Sequence, residues 1–88
     1  MEYIAVYTTL PDRDSARKLA KALVTKRLTA CANFFPVESI YRWEGKIEEE
    51  REYALILKTR KELYPEVEKR IKELHPHKLP AITSSHFS

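Results

Sequence analysis

Cys31, His75 and His77 carry the side chains whose chemistry narrows function furthest. A thiolate with one or two imidazoles is a donor set that suits copper and zinc. The spacing Cys31…His75-Pro76-His77 matches no recognised ligand signature. A shared ion is therefore expected only where several copies of the chain bring their ligands to an axis or a cleft. The competing role for Cys31 is that of a small buried strand residue, the usual place of a free cysteine. For His75 it is a helix-terminal residue, favoured by the negative end of the helix dipole. His86 lies in an irregular tail and reads as solvated. A second candidate is Lys58-Thr59. A lysine at the end of an apolar run, followed by a possible helix N-cap, could hold an anion at the helix start; the alternative is a lysine snorkelling at the rim. Tyr41, Trp43 and Gly45 sit at an aromatic hairpin tip. Trp43 would cover a ligand cleft or, more simply, anchor an interface. The run Glu48 to Glu52 could gather cations weakly, but such runs ordinarily form a solvated face.

Catalysis finds no support. No serine, histidine and acid stand at a plausible spacing, and one glycine cannot make a phosphate-cradling loop. Nothing in the acidic run suggests a carboxyl with a raised pKa.

The chain has 88 residues, enough for one domain, and 43% of them are hydrophobic. A chain this short buries only part of its surface, so association with further copies is the expected extra source of burial. A single cysteine excludes an intrachain disulfide and a zinc site built from several cysteines of one chain. It also fits a reducing compartment. The net charge of +3 comes from interleaved acids and bases, as in Lys46-Ile47-Glu48-Glu49-Glu50-Arg51-Glu52. Interleaving argues for a solvated surface and against a nucleic-acid stripe. Met1-Glu2 leads straight into a strand-like run with no basic leader, and no apolar run approaches a membrane span. A cytoplasmic protein is expected, with no membrane and no nucleic-acid partner.

These residues need elements to position them. Glu2 to Thr9 is rich in strand formers and ends at Pro11. Asp12 or Asp14 can cap a helix whose apolar stripe is Ala16, Leu19, Ala20 and Leu23. Leu28 to Asn33 reads as a second strand, interrupted at Phe34-Phe35-Pro36 by a bulge or an edge. It resumes from Val37 to Trp43, turns at Glu44-Gly45, and returns from Lys46 to Thr59 as one long hairpin. Arg60 to Leu74 is a second helix with Tyr64, Val67, Ile71 and Leu74 on one face. Pro65 places its regular start near Leu63 or Tyr64, and His75-Pro76 stops it. Ala81-Ile82-Thr83 can open a last strand. The order β-α-β-β-α-β predicts an α+β, ferredoxin-like sandwich: an antiparallel sheet with both helices on one face. The other face has nothing in the chain to cover it, although strand one carries apolar groups on both sides. Subunits packing sheet to sheet would cover it.

Five stretches, in order and at sensible spacing, resemble the CutA-type divalent-cation tolerance proteins. They are Tyr7-Thr8-Thr9-Leu10-Pro11-Asp12 with Ser15-Ala16, Ala30-Cys31-Ala32-Asn33, Tyr41-Arg42-Trp43-Glu44-Gly45-Lys46-Ile47, Ile56-Leu57-Lys58-Thr59, and Leu74-His75-Pro76 with Pro80-Ala81-Ile82. The resemblance covers the chain up to Ile82. It implies a cytosolic, very stable homotrimer of ferredoxin-like subunits, similar in build to PII-type signalling proteins, and an association with tolerance to copper and other divalent metals. It also implies an inter-subunit cleft lined here by Cys31, Trp43, Lys58 and His75. Two departures stand out. His77 occupies a place that is usually tyrosine in the family. Thr83 to Ser88 is small and polar where the family strand stays apolar and leads into a further helix, so the last strand is expected to be short and that helix absent.

Three functions compete on these residues. The first is a trimeric, non-catalytic module taking a divalent metal, most plausibly Cu²⁺, at clefts between subunits through Cys31 and His75. The second is a PII-like signalling module, with a small anionic ligand at Lys58 and a partner protein at the hairpins. The third, a ferredoxin-like enzyme such as an acyl phosphatase, meets an acid at Leu10-Pro11-Asp12 where an anion loop would want glycine and arginine. RNA binding is disfavoured because Glu52 to Lys58 lacks an aromatic stacking platform.

Overall fold

The computed structural model describes residues 2–75 and 82–86. β1 (Tyr3–Leu10) alternates with period two, and Ile4, Val6, Thr8 and Leu10 are its buried side. The Asp12 carboxylate then accepts the Ser15 backbone N–H at 2.8 Å and caps α1 (Arg13–Thr25). That hydrogen bond holds the Asp12 carboxyl below its ordinary pKa. Ala16, Leu19, Ala20 and Leu23 form the buried stripe of the helix. Two of the four are alanines, so the helix can lie close to the sheet.

β2 (Cys31–Trp43) and β3 (Lys46–Arg60) form the long hairpin. Glu44 and Gly45, with φ of 48° and 77°, make its two-residue turn. Two consecutive positive φ values suit the right-handed twist of the strands, and only glycine adopts them without strain. A Cβ on Gly45 would meet nothing within 4 Å, so the backbone angle, not space, selects glycine there. A 3₁₀ turn (Lys61–Leu63) leads into α2 (Tyr64–Leu74), with Pro65 in its first turn. β4 (Ile82–His86) is short, as its polar composition predicts, and it takes in His86, which pairs with Ile4 on β1 instead of lying in an irregular tail.

The sheet order is β2-β3-β1-β4, with every neighbouring pair antiparallel. This is the ferredoxin-like arrangement. Each helix crosses over the strand that its own βα unit leaves between, and the inward side chains of β1 and β3 meet those of the helices. Val6, Leu10, Leu23, Leu55, Leu57, Val67 and Ile71 fill that single core.

Four local expectations need correcting. β2 begins at Cys31, not Leu28, because the Leu28 N–H still closes the end of α1 by donating to the Leu23 carbonyl. The β2–β3 register runs unbroken through Phe34-Phe35-Pro36, so there is no bulge. The edge alternative holds: β2 is an outer strand, where a proline can turn its missing N–H to the unpaired side. Thr59 does not cap α2. It is buried in β3, and its hydroxyl donates to the Leu28 carbonyl at 2.6 Å. Leu74 is exposed, and His75 turns inward in its place.

Leu57 sits at the centre of the core with no exposure. Leu57→Ala is expected to lower the free energy of unfolding by about 3 kcal/mol, as transfer and cavity terms add. Urea denaturation of both proteins measures this.

Candidate functional site

The helices cover one face of the sheet, and the strand register fixes what lies on the other. Cys31 stands opposite Lys58 on β3, Lys58 opposite Ala5 on β1, and Ala5 opposite Ser85 on β4. The next row in phase is Asn33, Ile56, Tyr7 and Thr83, followed by Phe35, Ala54 and Thr9. This uncovered face therefore carries Cys31, Lys58, Ile56, Tyr7 and Phe35, with Tyr3 at its end. Cys31 is exposed, not a buried strand residue. Its neighbour Lys58 is also exposed, and its ammonium lies 5.5 Å from the centre of the Tyr3 ring, a cation–π contact.

The same face continues along the hairpin. Glu48, Glu50 and Glu52 alternate on β3 and stand opposite Tyr41, Ser39 and Val37. The hydroxyls reach diagonally across the pair. Tyr41 Oη donates to Glu50 Oε1 at 2.7 Å, and Ser39 Oγ donates to Glu52 Oε2 at 2.6 Å. The bond to Glu50, with the nearby carboxylates, pushes the Tyr41 phenol up to about 12. The tip presents bare apolar groups: Ile40, Trp43 and Ile47 are 70%, 61% and 62% exposed. Ile40 and Ile47 lie on the side of the hairpin opposite to Trp43, so both sides of the tip are apolar.

His75 lies elsewhere. It is the residue after α2, only 8% exposed, and its Nε2 is 2.6 Å from the Thr9 carbonyl oxygen. A carbonyl can only accept, so Nε2 carries a proton and donates. A backbone carbonyl that fixes the tautomer is the support a ligating histidine commonly has. However, Thr9 is four residues along β1 from the row of Cys31 and two strands across. That is about 13 Å along the strand and about 10 Å across it. One chain does not bring Cys31 and His75 together. Among the described residues no three His, Cys, Asp or Glu side chains cluster to hold a metal. His77 lies outside the described residues.

Sequence reasoning missed several partners. Thr29 is buried, and its hydroxyl lies 2.6 Å from the Lys58 carbonyl and 2.9 Å from that of Cys31, tying the strand ends that carry both residues. A small hydroxyl residue flanking an apolar strand was the available signal. The Tyr41–Glu50 and Ser39–Glu52 bonds follow from hairpin register, and the sum of paired numbers is legible once Glu44-Gly45 is taken as a two-residue turn. The αL conformation of Arg27, at φ 60°, had a compositional hint: the chain's one glycine is used at the hairpin, leaving none to end α1.

Residues 4–88 match the family described as CutA1 divalent ion tolerance protein. The chain is 56% identical over 79 residues to the divalent-cation tolerance protein CutA of Pyrococcus horikoshii, covering 90% of this chain and 78% of that protein. Among solved structures, CutA1 from Oryza sativa aligns with a TM-score of 0.95 at 32% identity, over 100% of this chain and 82% of that one. The periplasmic divalent cation tolerance protein CutA from Archaeoglobus fulgidus aligns with a TM-score of 0.89 at 41% identity, over 94% and 81% of the two chains.

The raised Tyr41 pKa has a pH signature. The fold favours the protonated phenol, so its contribution is complete below the ordinary tyrosine pKa of 10.0 and fades as pH rises through about 12. The stability difference between the protein and Tyr41→Phe is expected to be constant up to pH 10.0 and to shrink towards zero above it. Denaturant curves taken across that range measure it.

Proposed function

The chain belongs to the CutA1 divalent ion tolerance family, and from that premise we propose that it serves divalent-cation tolerance as a homotrimer that takes Cu²⁺ at clefts between its subunits, without catalysis. The observation that carries this reading is the uncovered sheet face with an exposed thiol on it. Tyr3, Tyr7 and Phe35 are exposed there beside Cys31. A contiguous apolar face of this kind marks an interaction surface, and a further copy of the chain is its simplest cover. Since one chain gathers no ligand cluster among the described residues, the donors come from different copies. Cys31 supplies a thiolate and His75 an imidazole, a set that suits copper. Lys58 and Tyr41 border the cleft on the same face, and the Gly45 turn carries Trp43 out to a neighbouring subunit. Thr59, also expected at the cleft, faces the core side, where its hydroxyl donates to the Leu28 carbonyl. The exposed thiol of Cys31 suits a reducing, cytoplasmic setting.

A second reading keeps the same clefts but fills them with a small anion at Lys58, as a PII-like signalling module would. The observation that favours it is the exposed Lys58 ammonium, held over Tyr3 on the open face.

Calorimetric titration with Cu²⁺ under anaerobic conditions separates the two. Cys31→Ser is an exposed change that spares the core. His75→Gln keeps an amide that can donate to the Thr9 carbonyl. Together they are expected to weaken copper binding at least about tenfold. Unchanged affinity in the double variant would mean that the metal is held elsewhere. Saturable binding of a small carboxylate, lost in Lys58→Ala, would favour the second reading.

A further inference from the structure

Where α1 gives way to β2, the chain holds an arginine in a place built for glycine. The Leu28 N–H donates to the Leu23 carbonyl at 3.0 Å, and the Arg27 N–H donates to the Val24 carbonyl at 3.0 Å. These two bonds are the Schellman pattern, whose residue between them must be left-handed. Arg27 occupies it at φ 60°. Glycine or asparagine is the ordinary choice, since a Cβ is strained in this region. Strain kept against an available remedy is a reason to look at what the side chain does.

Arg27 borders a depression of about 320 Å³ at the end of the sheet. Tyr3, Val24, Leu28 and Leu63 give it an apolar lining, and Arg60 stands with Arg27 as its second guanidinium. Val24 is 43% exposed, an aliphatic group left uncovered beside that charge. Arg27 has no acid partner among the described residues. Arg60 has one, Glu62, at a loose 3.8 Å with both side chains partly solvated. The charged residues lining the depression are thus two guanidiniums, set among apolar side chains and the buried Thr29 and Thr59, and its volume lies at the small end of the range for ligand sites.

We propose that this depression binds a small oxyanion on an apolar body, a compact phosphate or carboxylate whose head group meets Arg27 and Arg60 while its body rests on Tyr3, Leu28 and Leu63. Guanidinium groups pair with both head groups by charge-assisted, often bidentate hydrogen bonds. The site lies at the end of the sheet and needs no metal; it rests on the proposed assembly in one respect, that Tyr3 and Arg60, the last row of the open face, stay accessible at its end.

The test uses the full chain without metal, titrated with phenyl phosphate and followed by NMR and calorimetry. Benzoate replaces the phosphate head in a second arm, and inorganic phosphate and phenol supply each half alone. Phenyl phosphate or benzoate is expected to bind saturably, shifting Tyr3, Leu28 and Leu63, with inorganic phosphate and phenol at least about tenfold weaker. Which of the two probes binds tighter names the head group. Arg27→Gly is expected to weaken binding at least about tenfold while raising Tm, because glycine relieves the strained position. Arg60→Ala is expected to weaken binding similarly, with partial recovery in Arg60→Lys. No saturable shift with either probe up to about 10 mM would overturn the proposal. So would equal affinity for inorganic phosphate, or binding that survives both Arg27→Gly and Arg60→Ala.

Discussion

The two helices cover one face of the four-stranded sheet, and burial of apolar area on that face is what holds the rest of the molecule in place. Leu55 and Leu57 of β3 point to the helices, and this sets the phase of every neighbouring strand through the ladder. Once they face inward, Ile56 and Lys58 must face outward. The cross-strand partners Cys31, Asn33, Phe35, Ala5 and Tyr7 go with them. Cys31 and Lys58 are thus on the open face as a consequence of packing on the closed one. A slip of one residue would exchange the two sets completely.

The same constraint explains the hairpin. β2 and β3 continue as a pair well past the end of β1, whose last partner on β3 is Tyr53. Beyond that point neither side of the ribbon has a helix over it. The acids on β3 are held to Tyr41 and Ser39 on one side, while Ile40, Trp43 and Ile47 are bare at the tip. A two-stranded ribbon has little stability by itself, and an apolar tip gains from contact with another surface. This shape favours association, in keeping with the proposed division of ligands among copies.

Much of this was legible in the residues. The element order, the stripe of α1, the turn at Gly45 and the start of α2 beside Pro65 all follow from local rules with one strong signal each. The phase of β2 did not. Cys31-Ala32-Asn33-Phe34-Phe35 has apolar groups on both sides, so alternation could not say which side was buried. The long-range pairing with β3 decided it. Thr59 was misread because a threonine before a helix looks like a cap, whereas the strand runs one residue further and turns it to Leu28. His75 was seen as a helix end, but its bond to Thr9 spans the fold and leaves no local trace. The conformation of Arg27 was hidden for a similar reason, since left-handed caps are recognised by glycine and this one has none.

The central claim is that copies of the chain cover the open sheet face. Sedimentation velocity of the metal-free protein at micromolar concentration tests it most directly. The predicted result is a single species with the mass of three chains. A single species with the mass of one chain would contradict the account, because the open face, the hairpin tip and the divided ligand set would all be left without a partner.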